Sequence, residues 1–266
     1  MVGIDRRSAL RSAAGAGAVV VGLSATTETA TAGTAPAAHS AAVAPAAAQA
    51  TAAARPAWSA ERPLRVHIVA FDGAEELDVF GPLEVFAAAA AMGYPVRPLL
   101  VTGGRRAGRV TASFGTEIAV PNGWDASTAD VVVVPGGGFR KRDAPGIWSE
   151  IAKGVLPRAL SRAERPSLTV LGICTGVIVL HAAGLIRDRP CTTHHGAQQY
   201  LKDQGADVRT VRVVDDGNLV CAGGVSSGMD GSLWLLEREL GSEVATRVEA
   251  LMEFERRGTV LRTAGA

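Results

Sequence analysis

Cysteine is scarce in this chain, with three in 266 residues. Three are too few for a disulfide framework, and no Cys-x-x-Cys pair offers a zinc site. Aromatic residues are thin at 5%, and neither sign of charge dominates, with 27 Lys+Arg against 26 Asp+Glu. No basic stripe interleaved with aromatics occurs, so the usual footprint of a nucleic-acid-binding surface is missing. The short basic runs Arg105-Arg106 and Arg140-Lys141-Arg142 read as solvated loops. What the chain has in quantity is apolar material, 47% of it, enough for one sizeable core.

The opening stretch is not expected to belong to that core. Arg6-Arg7 precede an Ala-, Gly- and Val-rich run over 13–23, too short to span a bilayer comfortably. Ala30-Thr31-Ala32 then supplies small residues for cleavage, completing the layout of a signal peptide over 1–32. The paired arginines point to the twin-arginine route. Leu10 fits the pattern of that route, whereas Asp5 and Ala9 depart from it. The expected product is exported, extracellular or periplasmic, with no stable membrane association once the leader is gone. Residues 33–63, which include His39, are mostly Ala, Thr, Ser and Pro and read as a low-complexity linker. The folded domain is expected over 64–256, with a short tail over 257–266.

From residue 64 onward strand and helix signals alternate. Apolar, β-rich runs at 64–71, 96–101, 131–134 and 168–173 predict buried strands, with shorter ones at 191–193, 208–214 and 219–222. Helical spacing is expected over 78–92, 147–160, 175–183, 227–240 and 244–255. This alternation predicts an α/β fold, a mostly parallel sheet with helices on both faces. In such sheets ligands bind beyond the carboxyl ends of strands, so the residues that follow strands carry the chemistry.

The strongest candidate is Gly172-Ile173-Cys174-Thr175-Gly176, between an apolar strand and an apolar helix. It is a nucleophile elbow with sulfur in place of oxygen. A helix N-terminus would depress the thiol pKa there, and the Thr175 amide would face developing negative charge. Gly224-Val225-Ser226-Ser227-Gly228 matches the serine version of the elbow, but the last histidine, His195, lies upstream of it. A serine triad in hydrolase order is thereby excluded, and the two serines read as turn and helix cap. Gly136-Gly137-Gly138 follows the valine strand, and the amides of Gly137 and Gly138 are candidate oxyanion donors. Glu75, Glu76 and Asp78 follow the first strand as candidate proton-transfer groups, and spacing alone does not choose among them. His194, beside His195, is a candidate pocket-ordering group. With Cys191 the pair lacks the further ligands of a metal site. Neither a metal nor an organic cofactor is expected.

Gly73-Ala74-Glu75-Glu76-Leu77-Asp78, Gly81-Pro82-Leu83-Glu84-Val85-Phe86, Val-Val-Pro-Gly-Gly and the Ile-Cys-Thr-Gly elbow together resemble the ThiJ/PfpI superfamily. So do Ala-Ala-Gly-Leu, Thr192-Thr193-His194, and Asp216-Gly217-Asn218-Leu219 running into Ala-Gly-Gly-Val. The resemblance spans 64–255 and implies a flavodoxin-like, doubly wound fold of the class I glutamine amidotransferase type. Within the superfamily, Cys-Thr-Gly and Leu-Asp-x-x-Gly-Pro are most similar to isonitrile hydratases, which are carbon-oxygen lyases that turn an isonitrile and water into an N-substituted formamide. That similarity implies catalytic roles for Cys174, Asp78 and Thr175 on a small-molecule substrate. It also implies a homodimer, with Val85, Phe86 and Met92 offering apolar surface near the interface. Thr175 stands where many protease-like and glyoxalase-like relatives have His, which argues against a Cys-His dyad. The alternatives are a ligand-binding or redox-sensing domain without catalysis, or a glyoxalase-like or protein-repair activity. Cys191 and Cys221, which have no elbow, are expected to be buried free thiols, since a bridge needs alpha carbons within about 7 Å.

The leader is testable directly. Mass spectrometry of the secreted fraction is expected to find a chain starting just past Ala32, and a secreted chain retaining residues 1–23 would refute the signal-peptide reading.

Overall fold

The computed structural model describes residues 57–263. The proposed leader, its cleavage site, His39 and most of the linker lie outside the described residues. Of the linker, residues 57–63 are described. Trp58 packs against the core there, and its indole N–H donates to Glu239.

The chain opens with β1 (Leu64–Ala70), all buried except Arg65, then α1 (Glu76–Ala91) and β2 (Val96–Thr102). A hairpin follows, β3 (Gly108–Thr111) paired antiparallel with β4 (Glu117–Val120), and then β5 (Asn122–Gly123). The valine run forms β6 (Val131–Val134). The helix expected over 147–160 is two helices, α2 (Ile147–Lys153) and α3 (Val155–Ala163). Gly154, left-handed at φ 65°, breaks them apart. Next come β7 (Thr169–Ile173), α4 (Gly176–Ala182), β8 (Pro190–Cys191), α5 (Gln198–Asp203) and β9 (Asp207–Val208). The strand expected over 208–214 is likewise divided: β9 pairs with β8, and β10 (Val213–Asp216) enters the main sheet. The chain closes with β11 (Leu219–Ala222), α6 (Ser227–Leu240), α7 (Ser242–Met252) and β12 (Val260–Arg262). β12 corrects the expectation of a plain tail, because it adds parallel to β10, and the Thr263 N–H donates to the Asp215 carbonyl.

The eight-stranded sheet runs β12-β10-β11-β7-β6-β1-β2-β5, and within it only the β10–β11 pair is antiparallel. The central strands are buried on both faces, which is why they read as unbroken apolar runs rather than alternating ones. Helices α1, α6 and α7 pack together as one layer, and α2, α3 and α4 as another. At β1 the order reverses, since β2 lies on one side of it and β6 on the other. Register then carries the three strand ends to one place: Ile68 pairs with Val133, and Val134 with Gly172. The loops after β1, β6 and β7 therefore meet, as expected at a switch point of this kind of sheet.

Two expected surface residues are not on the surface. Val85 and Phe86 are fully buried, because α1 turns that face onto the sheet. Its exposed large apolar residues are Leu77 and Phe80, with Met92 at its C-cap, exposed by 36%, 37% and 38%, and Glu84 is exposed beside them.

Candidate active site

Cys174 closes β7 with φ at 53°. A side chain in the left-handed region costs about 1–3 kcal/mol, so the neighbours must hold it there. They do so at both ends of the residue. The Cys174 N–H donates to the carbonyls of Gly223 and Ala222 at 2.8 and 3.0 Å, and the Thr193 hydroxyl donates to the Cys174 carbonyl at 2.7 Å. The bend turns the sulfur toward a cavity of about 700 Å³, which Cys174 and Thr175 line. Cys191 and Cys221 are buried, unlinked, and line none of the larger cavities.

Asp78, the third residue of α1, is fully buried and does not line this cavity. Its Oδ2 accepts from the Gly136 N–H at 2.9 Å, while Oδ1 has no hydrogen-bond partner among the described residues. Burial is the main cause of its raised pKa, about 8, and the Glu75 charge adds to it. The Gly136 amide and the weakly donating Cys174 thiol act the other way but do not prevail. Asp78 is therefore a neutral carboxylic acid near pH 7. Of the three acids after β1, Asp78 is the one beside the sulfur. Glu75 caps α1, accepting from the N–H groups of Leu77 and Asp78, and Glu76 accepts from the Phe114 N–H of the hairpin. That cap starts α1 two residues before the expected position.

The thiol contradicts its expected behaviour. Burial, with the Asp78 charge second, pushes Cys174 up to about 12 rather than down. The amides of Val225 and Thr175 both act on the sulfur to lower it. A helix terminus is worth about 0.3–1 kcal/mol, while each pKa unit takes 1.36 kcal/mol, so α4 cannot offset the burial.

The triglycine turn also differs from expectation. The Gly137 N–H is not a free oxyanion donor, because it donates to Thr175 Oγ1 at 3.0 Å. The Gly136 N–H is taken by Asp78. Only Gly138 of the three lines the cavity with an amide that has no partner among the described residues. The amides that reach the sulfur come instead from Thr175 and from Val225, a β-branched residue held at φ 32°. Thr175 Oγ1 accepts from Gly137, which leaves its own proton for a ligand. The turn is glycine because the loops touch backbone to backbone. A Cβ on Gly136 would lie 2.5 Å from Thr175 Oγ1, and one on Gly137 would lie 2.1 Å from the Gly73 carbonyl oxygen.

His194 lines the cavity as expected. Its Nδ1 accepts from the Gly196 N–H at 3.1 Å, so the neutral ring carries its proton on Nε2. Burial first, then His195 and Arg140, lowers its pKa. Ser226 stands at the start of α6 but makes no capping bond, since its hydroxyl accepts from Arg212. Two wall elements escaped the sequence reading. The hairpin puts Phe114, 82% exposed, at the rim, with Ser113 bonded to the Gly73 carbonyl. Its signal was present: Val110, Ile118 and Val120 alternate with polar residues about a Gly115 turn. Val225 gave no signal, because a positive φ on valine is visible only in coordinates.

Comparison with known proteins gives the family and the fold. The DJ-1/PfpI family model matches residues 64–238. Isonitrile hydratase of Pseudomonas putida is 30% identical over 192 residues, 72% of this chain and 78% of that one. The HTH-type transcriptional regulator GlxA of Rhizobium meliloti is 29% identical over 58% of this chain and 45% of its own length. Among solved structures, Schizosaccharomyces pombe DJ-1 superposes with a TM-score of 0.61, covering 72% of this chain and 100% of its own. At 20% identity, that likeness is one of fold.

The state of Asp78 gives a stability signature. Its folded pKa, about 8, lies above the ordinary 3.8. The stability linked to it is full below about pH 4 and is lost as pH rises through about 8. Asp78→Asn cannot ionise and escapes that loss. Its melting temperature is expected to match the parent near pH 4 and to exceed it by about 5 °C or more at pH 8.5. An equal offset at every pH would show that folding does not shift the Asp78 pKa.

Proposed function

The chain belongs to the DJ-1/PfpI family, and we propose that it is a hydro-lyase of that family that adds water to an isonitrile to give an N-substituted formamide. The observation that carries this reading is a buried neutral carboxyl, Asp78, beside the Cys174 thiol, with Thr rather than His following the cysteine. An isonitrile carbon is a poor electrophile until it is protonated. It therefore needs an acid and a nucleophile at one carbon, and a pair that is fully protonated at neutral pH can supply both.

Protons and electrons balance along this route. The Asp78 carboxyl gives its proton to the isonitrile carbon, forming a nitrilium-like cation and a carboxylate. Cys174 sulfur attacks that carbon as its thiol proton passes to the carboxylate. The product is a thioimidate, R–N=CH–S–Cys174, with Asp78 protonated again. Asp78 then protonates the imidate nitrogen, and as carboxylate takes a proton from the attacking water. The tetrahedral adduct collapses to R–NH–CHO and expels the sulfur, which recovers its proton. No free thiolate is needed at rest, so the raised thiol pKa is compatible with turnover. Sensor cysteines are low-pKa and accessible, so the same value weighs against a redox-sensing role. Thr175 would donate its hydroxyl proton to the substrate, while the Thr175 and Val225 amides face the sulfur as charge builds.

A homodimer is part of the proposal. Leu77 and Phe80 on α1 and Met92 at its C-cap are exposed apolar residues, beside the exposed Glu84, with the exposed Phe114 on the hairpin. Light scattering at micromolar concentration is expected to give twice the chain mass, and a monomer would count against it.

The activity is tested by formamide release from a simple alkyl isonitrile, run beside an assay for methylglyoxal loss. Cys174→Ala is expected to abolish formamide formation, and Asp78→Asn to lower it by about a hundredfold or more. In the parent, the rate should fall as pH rises through about 8 and Asp78 ionises. Formamide from the Cys174→Ala protein would eliminate covalent catalysis. An Asp78→Asn protein as fast as the parent would move the proton transfer to another group.

A further inference from the structure

The loop from Gly138 to Pro145 forms one side of the cavity, and it is fixed rather than loose. The Trp148 indole N–H donates to the Phe139 carbonyl at 2.7 Å. The rings of Phe139, Trp148 and Tyr200 pack with centroids 5.3–6.1 Å apart. The Arg142 guanidinium lies 4.0 Å above the Trp148 ring and 5.6 Å from that of Tyr200, which clamps the loop from outside. Arg142 is thus committed to aromatic faces and does not line the cavity. Arg140 and Lys141, its neighbours, do line it, and neither forms an ion pair among the described residues.

The lining also carries two acidic groups, each of which accepts backbone hydrogen bonds. Asp72 accepts from the Thr111 N–H, and Glu75 caps α1 while burial raises its pKa. His194 has its pKa lowered, with Arg140 among the causes, which puts that guanidinium within electrostatic reach of the catalytic end. The same lining includes the apolar Ala112, Phe139, Ala144, Pro145 and Val225. A ligand that fits this lining combines a carbon that reaches the sulfur with apolar surface and a negative charge for the two cations.

We infer that the pocket selects substrates bearing an anionic group, a carboxylate being the simplest, and that Arg140 and Lys141 receive that group at the rim. Applied to the proposed reaction, and resting on it, the substrate class is a carboxylate-bearing isonitrile rather than a neutral alkyl one. Both cations are exposed, so the effect is one of selection and is weakened by salt.

Two readouts separate this inference from the proposed activity. The first is alkylation of Cys174, followed by peptide mass spectrometry, with iodoacetate against the neutral iodoacetamide. The rate ratio is divided by that of a small free thiol at the same pH. The ratio at Cys174 is expected to exceed the free-thiol ratio by about threefold or more at low salt, the scale of exposed charge pairs. It should fall to the free-thiol value in Arg140→Gln/Lys141→Gln and in 0.5 M salt (a screening length of about 4 Å). The second readout is the ratio of kcat/KM for an isocyano carboxylate to that for its methyl ester, and the same double variant should lower that ratio by about threefold or more. A ratio at or below the free-thiol value, or one that the double variant leaves unmoved, overturns the inference. Anion preference at Cys174 without formamide from either isonitrile would defeat the hydratase assignment and leave the selectivity standing.

Discussion

Everything distinctive about this site depends on a carboxyl group whose ionisation burial pushes up to about pH 8. Asp78 is fully buried, with one oxygen on the Gly136 amide and the other without a partner. A carboxylate there would lose its hydration for a single good hydrogen bond, so it stays protonated near pH 7. The neighbouring thiol feels the same desolvation and, in addition, any charge on Asp78. The result is a pair that holds both its protons at rest and can pass them on when a ligand arrives. A site that needed a standing thiolate would require a cation beside the sulfur. The cations of this cavity, Arg140 and Lys141, sit in the exposed part of its wall.

That arrangement demands close approach of four strand-end loops. Glu75 N–H donates to the Gly136 carbonyl, Gly137 N–H to the Thr175 hydroxyl, and Cys174 N–H to the Gly223 carbonyl. Each bond joins one strand-end loop to another, so the elements that carry Asp78, Cys174 and Thr175 are positioned largely by main-chain bonds. The cost appears as positive φ at Cys174 and Val225. Strain of this kind persists only where the surroundings over-determine it. The Thr193 hydroxyl on the Cys174 carbonyl is one of the bonds that do so.

Much of the architecture was readable because it rests on periodicity. The valine run and its neighbours had to be buried strands, and their alternation with helical segments required a mostly parallel sheet. The errors fell where a single residue's conformation mattered. Gly154 divides a helix whose apolar spacing continues across it, and residues 260–262 become a strand only because β10 offers an open edge. Val85 and Phe86 have the composition of an interface, but the same residues serve a core, and only the rotation of α1 about its axis distinguishes the two.

The sequence by itself singled out Cys174 as the candidate nucleophile. A cysteine between an apolar strand and an apolar helix, flanked by glycines, is the pattern of a nucleophile elbow. It also limited the acid to Glu75, Glu76 or Asp78. Spacing left that choice open and the family resemblance favoured Asp78; what only the tertiary structure supplies is how α1 begins, with Glu75 on its cap, Glu76 on the hairpin and Asp78 buried. Tertiary structure decided the amide donors, giving Gly137 to Thr175 and bringing Val225 to the sulfur. And it decided the sign of the thiol's pKa shift. Local sequence shows a helix terminus that should lower it. Burial and the charge of a residue 96 positions away in the chain (174 − 78) raise it, and these exist only once the strands have come together.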